Sequence, residues 1–298
     1  MMDTVVSIQA YYEGEAFMSA VDAAFERMRE VETMFSFHKP ESELSILNQK
    51  GCIFPSASFS ELIEFASKTV SMSKGRFDPS FAVFHRAYGF YNGKPRLPSD
   101  SELADLMNFT GWGKVLSFDN SDSSLKIASG ALLDLGGIAG GFAVTVAADE
   151  LRKRGCKVFF IDDGGDLYME GIKPDGSPWK VGVSDPRNNG IMATIETVSP
   201  LAVSTSGDYE RFVEVDGKKY HHIFDVETGK PTSWYTSVTV VASEPRDADV
   251  LSTWLFTLPP AEAEAVCREK SIPALFLTAS GSLWQSSTAA KYFTIAAQ

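Results

Sequence analysis

Residues 134 to 141 read Asp-Leu-Gly-Gly-Ile-Ala-Gly-Gly and run straight into Phe142-Ala-Val-Thr-Val-Ala-Ala-Asp-Glu-Leu151. The spacing predicts a glycine-rich turn opening directly onto an apolar-rich helix. Glycines let the backbone approach a ligand closely, and the free N–H groups of a first helical turn, backed by the helix dipole, suit an anion such as phosphate. The stretch fits neither the Gly-Lys-Ser/Thr ending of a Walker loop nor Gly-x-Gly-x-x-Gly, so a tight strand-to-helix turn without a ligand is the alternative reading.

At 298 residues, 44% hydrophobic and 22% charged, the chain can bury a large core in one or two intimately joined domains. A formal net charge of -12 without a basic stripe argues against a nucleic-acid backbone or an anionic membrane surface as the main partner. A phosphorylated ligand on so acidic a chain needs a local source of positive charge, for which a divalent metal is the natural candidate. Cys52, Cys156 and Cys267 are odd in number and far apart, and read as inert thiols rather than a disulfide framework or a zinc site. No stretch approaches the ~20 apolar residues of a membrane span. No basic segment followed by an apolar one precedes the strand-like Thr4-Val-Val-Ser-Ile-Gln-Ala-Tyr11, so the chain as given is expected to be soluble and cytoplasmic.

Phe17, Val21, Ala24, Phe25, Met28, Val31 and Met34 recur at three- and four-residue steps, which predicts one long amphipathic helix. Ser58 with Glu61 and Ser99 with Glu102 have capping-box spacing, opening helices at 59–73 and 100–107. Gly75-Arg-Phe-Asp-Pro-Ser80 breaks the chain before a short aromatic helix ending near Tyr91. From residue 156 the texture changes to strands at 157–161, 180–183, 193–198, 212–215 and 218–224, the last two joined across Asp216-Gly217, a strong hairpin turn. A helix over 248–258 follows a strand over 237–242, and strands near 274–278 and 292–296 close the chain. The expected fold class is α+β.

Asp249 and Thr253 stand four residues apart at the start of that late helix, so a carboxylate and a hydroxyl share a face. Both are hard oxygen donors of the kind Mg²⁺ takes, although a first-turn Asp also caps helices and a Thr can bond back to a carbonyl. His221 and His222 face opposite sides of an alternating strand, and a histidine of near-neutral pKa can take a proton from an attacking hydroxyl. Ser204-Thr-Ser-Gly-Asp-Tyr209 reads as a phosphate contact or a polar turn. The Asp162, Asp163 and Asp166 group around Gly164-Gly165 reads as a tight solvated turn.

Several segments, in order, carry a resemblance. Met2-Asp-Thr4 is similar to an opening Met-Gly-Thr. The segment from Phe35 to Asn48 is similar to one ending Ser-Glu-Leu-Ser-x-x-Asn, and Gly75-Arg-Phe-Asp-Pro-Ser80 to Gly-x-Phe-Asp-Pro-Thr. Asp134 to Gly141 matches Asp-Leu-Gly-Gly-Ile-Ala-Lys-Gly except at one place. Asp163-Gly-Gly-Asp166, Thr205-Ser-Gly-Asp-Tyr209, His222-Ile-Phe-Asp-Val-Glu-Thr-Gly229 and Ala248-Asp-Val-Leu-Ser-Thr253 complete the set. Together they resemble the ApbE family, the FAD:protein FMN transferases, over essentially the whole chain.

The resemblance implies an α+β, T-fold-like architecture of antiparallel sheets and flanking helices. Residues 1–298 would form one flavin transferase domain of two lobes, with FAD between them and Mg²⁺ at its pyrophosphate. It implies Asp249, Thr253 and the carbonyl of Gly137 as metal ligands, and His222 as the base. Met2, His38, Phe77, Asp78, Pro79, Ser80, Asp134, Gly140 and Ile223 fall at flavin- or nucleotide-contacting positions. The implied reaction moves FMN from FAD to a Thr or Ser hydroxyl of an acceptor redox protein, releasing AMP, and family members are commonly periplasmic lipoproteins. Gly140 replaces the usual Lys, Val226 the usual Pro, and His38 an aromatic able to stack on the flavin. Two other readings are an FAD-binding or storage protein without turnover, and an FAD pyrophosphatase giving FMN and AMP.

Overall fold

The computed structural model describes residues 4–11, 17–91, 93–188 and 190–296. The chain divides into two compact units. One comprises Met1–Glu32, Ala139–Gly207 and Trp234–Gln298; the other comprises Thr33–Ile138 and Asp208–Ser233.

The first unit is built on a seven-stranded sheet with neighbours in the order Val6–Tyr11, Val158–Asp163, Asp166–Glu170, Leu201–Gly207, Tyr235–Ala242, Ala274–Thr278, Leu283–Gln285. Every pairing in it is antiparallel. Tyr235–Ala242 is rich in β-branched residues and is buried along nearly its whole length, as a central strand covered on both faces must be. The helix Pro245–Thr257 packs on this strand and on Leu201–Gly207. Proline at its first turn supplies a preset φ where no N–H is needed. A second sheet pairs Phe293–Ile295 with Gly190–Thr197 and Trp179–Asp185. Met169, Trp179, Ile195, Leu275 and Phe293 belong to the apolar core of this unit.

The second unit carries the helices Glu43–Lys50, Ala57–Met72, Ala82–Tyr88 and Asp100–Leu106, a small sheet of Cys52–Ile53, Ser124–Ile127 and Leu116–Asp119, and the hairpin Phe212–Val215 with Lys218–His221. The hairpin turn is the expected one: Asp216 and Gly217 have φ of 51° and 73°, the paired left-handed conformation that suits the twist of the flanking strands. Phe84, Tyr88, Leu103, Leu132, Val213 and Phe224 fill the core.

Antiparallel sheets with helices bear out the α+β expectation, and the differences from the sequence reading are local. Ser99 caps its helix by accepting from the Glu102 N–H, as its spacing predicts, but the helix Ala57–Met72 is capped by Ser56, which accepts from the Phe59 N–H; Ser58 lies inside it. The strand predicted over 218–224 ends at His221. The polar run Ser204-Thr-Ser-Gly207 is the end of a central strand rather than a turn. Gly164-Gly165 is a tight turn, yet Asp163 beside it is only 5% exposed and not solvated. Most consequential, the helix predicted to begin after Gly141 begins at Gly136, so all four glycines of the motif lie within it. Cys52, Cys156 and Cys267 are free thiols, the last two buried. Among the described residues no helix is long and apolar enough to cross a membrane.

Candidate active site

Within the first unit, Gly140 and Gly141 of the helix Gly136–Lys153 serve close approach rather than a special φ. A Cβ on Gly141 would meet the Asp249 Cβ at 2.6 Å, the Pro245 carbonyl at 2.7 Å and the Arg246 Cα at 2.8 Å; one on Gly140 would overlap the Asp166 Oδ2. The contact brings Asp249 onto the helix backbone, where its Oδ2 accepts the Gly141 N–H at 2.8 Å. In an α-helix that N–H points at the carbonyl of residue 137. The Asp249 carboxylate therefore competes for the donor of the one backbone carbonyl implied as a metal ligand.

Asp249 is 7% exposed and lies in the second turn of its helix, not the first. Its acidity is set by burial, which pushes its carboxyl well above the usual range, and then by the like charge of Asp166; the Gly141 N–H works in the opposite direction. Asp163 is pushed up to about 7, again by burial first and Asp166 second, and neither of its carboxyl oxygens has a hydrogen-bond partner among the described residues. Hydroxyls surround this acidic group. Ser204 Oγ donates to Asp166 Oδ1 at 2.5 Å, Ser206 Oγ lies 2.8 Å from Ser252 Oγ and 3.0 Å from Thr253 Oγ1, and Ser252 donates to the Asp249 carbonyl at 2.9 Å.

In the second unit the polar groups around Asp134 are hydrogen-bonded to one another. Asp134 Oδ1 accepts the Gly136 N–H at 2.8 Å, its Oδ2 accepts the Tyr91 hydroxyl, and its own N–H donates to the Pro79 carbonyl at 2.9 Å. Burial works to raise the Asp134 carboxyl, but His85, Tyr91, Arg211 and the Gly136 N–H together hold it below its ordinary value. His85 Nε2 donates to the His222 carbonyl at 2.7 Å, and His85 Nδ1 faces the Tyr91 hydroxyl at 3.0 Å. His222 in turn gives both its backbone N–H (3.1 Å) and its Nδ1 (3.0 Å) to the Arg211 carbonyl. A carbonyl only accepts, so Nδ1 carries the ring hydrogen and Nε2 keeps a lone pair. Burial, then His85 and Arg211, hold His222 down at about 3, so it is neutral near pH 7.

The ApbE family's sequence profile matches residues 2–276. The chain belongs to the ApbE family. Among curated relatives, the FAD:protein FMN transferase of Vibrio cholerae is 30% identical over 258 residues, 84% of this chain and 76% of the relative, and that of Haemophilus influenzae is 27% identical over 280 residues, 90% and 81%. The crystal structure of the ApbE protein of Thermotoga maritima superposes with a TM-score of 0.91 at 30% identity, covering 98% of this chain and 96% of that one. The apo form of the flavinyl transferase ApbE of Pseudomonas stutzeri superposes with a TM-score of 0.86 at 27% identity, covering 98% and 94%.

The other residues singled out by the ApbE resemblance differ in their settings. Met2 lies outside the described residues. Phe77, Pro79 and Ser80 are buried, and Ile223 likewise. Asp78 and Ser80 are engaged in bracing: Asp78 Oδ1 accepts the Ser80 N–H and hydroxyl, Asp78 Oδ2 accepts the Trp112 N–H, and Ser80 Oγ accepts the Gly111 N–H. Their side-chain oxygens fix a turn whose Pro79 carbonyl anchors Asp134. His38 is exposed, its ring edge-on to Phe37 at 5.9 Å and to Tyr91 at 6.1 Å. His221, the neighbour of the candidate base, spends both ring nitrogens on backbone, Nε2 on the Thr232 carbonyl and Nδ1 on the Ile223 N–H.

The first unit's donors suit Mg²⁺: the buried Asp249 carboxyl and the Thr253 hydroxyl are hard oxygens, and the charges acting on Asp249, from Asp166 and Asp163, are both acidic. Among the described residues no three His, Cys, Asp or Glu side chains gather as an all-protein cage. The sequence reading did not single out Asp166 as a site residue, nor His85, Tyr91 or Arg211. Asp166 carried a signal, since it closes the Asp163-Gly-Gly-Asp166 motif. The other three had none, because only the fold brings residues 85, 91, 134 and 211 together.

Proposed function

We propose that this chain transfers FMN from FAD to a Thr or Ser hydroxyl of an acceptor redox protein. The acceptor oxygen forms a bond to the FMN phosphorus, the diphosphate P–O–P bond breaks, AMP leaves, and the hydroxyl proton passes to His222 Nε2. The reading rests on membership of the ApbE family over residues 2–276, together with relatives named FAD:protein FMN transferase.

Asp249 and Thr253, with the Gly137 carbonyl, would hold Mg²⁺, which when bound supplies positive charge at the FAD diphosphate. His222 is a weak base in the free protein; an anionic diphosphate beside it raises its affinity for a proton, so its basicity grows when substrate is bound. Its Nδ1–H, fixed on the Arg211 carbonyl, keeps the lone pair on Nε2.

The test is incubation with FAD, Mg²⁺ and a protein or peptide carrying a flavinylation-type Thr, followed by mass analysis of the acceptor and assay of AMP. An FMN-sized adduct with AMP supports the reading. AMP with free FMN selects the pyrophosphatase, and bound but unchanged FAD the storage protein.

A further inference from the structure

His85, Tyr91 and Asp134 are joined end to end, and the ApbE resemblance points only to Asp134. The Tyr91 hydroxyl touches both Asp134 Oδ2 and His85 Nδ1, and the other nitrogen of His85 reaches the His222 carbonyl at 2.7 Å. A count of hydrogens exposes a conflict. Tyr91 has one hydroxyl hydrogen and two acceptors. If it donates to an ionised Asp134, a neutral His85 with its hydrogen on Nε2 presents a lone pair to the Tyr91 oxygen at 3.0 Å. Moving that hydrogen to Nδ1 cures this contact but sets the Nε2 lone pair against a carbonyl oxygen at 2.7 Å.

One additional proton removes the conflict in either of two ways. His85 carries both ring hydrogens and donates to Tyr91 and the His222 carbonyl, while Tyr91 donates to Asp134. Alternatively Asp134 carries the proton and donates to Tyr91, whose own hydrogen goes to His85 Nδ1. The two arrangements contain the same atoms and the same net charge, and they interconvert by shifting two protons along the chain of hydrogen bonds.

We propose that His85 and Tyr91 are positioning residues for FMN transfer, holding with Asp134 one shared proton that locks the His222 backbone in place. The shared proton follows from geometry alone; the role in transfer rests on the function proposed above. Other titratable or charged groups face the trio. The Arg211 guanidinium lies 5.6 Å from the Tyr91 ring centroid and 5.8 Å from that of Phe90, the His222 ring centre lies 6.3 Å from that of His85, and the His38 ring 6.1 Å from that of Tyr91. Burial, and less strongly Arg211, oppose a positive charge on His85, whereas Asp134 and the His222 carbonyl favour it, so the proton is shared along the hydrogen-bonded trio rather than held on His85 alone. Because the His222 carbonyl is tied to His85 while the His222 N–H and Nδ1 are tied to Arg211, the candidate base is gripped from two sides.

The test follows the ring nitrogens of the four histidines by long-range proton–nitrogen NMR on the full chain without FAD, across about pH 4 to 9. Tyr91→Phe removes the linking hydroxyl and should lower the His85 midpoint by roughly one pH unit or more, a tenfold loss of proton affinity. An unchanged midpoint would overturn the shared proton. A second pair of variants probes positioning. His85→Gln keeps an amide donor for the His222 carbonyl and His85→Leu does not. At saturating FAD, kcat for FMN transfer should fall about tenfold in His85→Leu and return to within about threefold of wild type in His85→Gln, with the KM for FAD little changed. Equal losses in both variants, or a loss confined to KM, would overturn the positioning role. A wild type that shows the NMR effect but transfers no FMN would sink the transfer reading and leave the shared proton standing.

Discussion

Asp249 and Asp134 are both enclosed carboxyls that accept a backbone N–H from the helix Gly136–Lys153, and their surroundings are opposite. Asp134 also has the Tyr91 hydroxyl, and His85 and Arg211 add to what holds its carboxyl below its ordinary value. Asp249 has Asp166 and Asp163, which drive its carboxyl well above that range once burial has raised it. The hydroxyls around it pair with one another, with Asp166 and with the Asp249 carbonyl, and bring no positive charge. Carboxyls that a fold buries without positive charge are a standing cost. The cost is reasonable where a cation from outside belongs to the working state, whereas the second unit closes its own network and uses it to fix orientation.

The sharpest break in that comparison is Asp249→Ala. FMN transfer should fall by ~10³-fold or more, because positive charge at the diphosphate supplies much of phosphoryl-transfer catalysis. Thermal stability without Mg²⁺ should not fall correspondingly. Losing the Asp249 bond to the Gly141 N–H costs about 1 kcal/mol, which relief of the repulsion from Asp166 offsets. Mg²⁺ should raise the melting temperature of the wild type and leave that of the variant unmoved. A variant that keeps wild-type Mg²⁺ dependence would place the metal elsewhere.

His222→Asn should lower the rate roughly 10²-fold while FAD binding changes little. His221→Asn is the control. Its ring bridges Thr232 and Ile223, so the loss should appear in stability rather than in kcat. Since His222 is held at about 3 in the free protein, kcat/KM should show no acid limb from this group above about pH 5. An acid limb near pH 6.5 that vanishes in His222→Asn would break the contrast between an oriented neutral base and a charged one.

The two regions should also tilt the pH dependence of folding in opposite directions. The folded value of Asp163, about 7, lies above its unfolded value near 3.8. Between those two the native state binds more protons than the unfolded chain, so this group's stabilisation is present at low pH and is lost as pH rises toward 7. His222 has a folded value of about 3 against 6.5 unfolded. Across that window the unfolded chain binds more protons, so stability falls as the medium becomes more acid. Each effect is at most a few kcal/mol after solvent screening. Urea midpoints from about pH 4 to 7, without metal, should therefore tilt one way in Asp163→Asn and the opposite way in His222→Asn. Parallel curves would show that the two regions do not differ.

Periodicity made the long first helix legible, and the Asp216-Gly217 turn made the hairpin so, because these depend on local spacing. Ser204-Thr-Ser-Gly207 misled because hydroxyl-rich sequence reads as a turn. The strand is tolerated there because its hydroxyls find Asp166, Thr239, Ser252 and Thr253 as partners, all distant in sequence. The glycine motif misled in a related way. Glycine is a poor helix former, so its run suggested a turn, whereas packing of the Pro245–Thr257 helix against it decides the outcome. Motif spacing points to Asp249, but its burial and its like-charged neighbour depend on the fold bringing Asp166 beside it, which the Asp163-Gly-Gly-Asp166 motif marks as a turn without revealing. His85 and Tyr91 were illegible for the same reason.

The smallest expected effect separates the two kinds of close contact at the glycine helix. At Gly141 an added methyl meets the Asp249 Cβ, the Pro245 carbonyl and the Arg246 Cα at 2.6 to 2.8 Å, mostly atoms of a rigid helix backbone. At Gly140 it meets the tip of the Asp166 side chain, which can rotate away at the expense of the Ser204 hydrogen bond. Gly141→Ala should therefore destabilise the protein by about 1–3 kcal/mol, the range of an overpacked core. Gly140→Ala should cost less, because a side-chain tip yields where helix backbone does not, and the gain in helix propensity, up to ~1 kcal/mol, is common to both positions. Chemical denaturation of both variants reads this directly. In Gly140→Ala the displaced Asp166 also relaxes its repulsion of Asp249, so the Mg²⁺-induced rise in melting temperature should shrink although no ligand implied for the metal was altered. An unchanged Mg²⁺ response, or a greater loss of stability at 140 than at 141, would mean that Asp166 is no part of what the acidic cluster does.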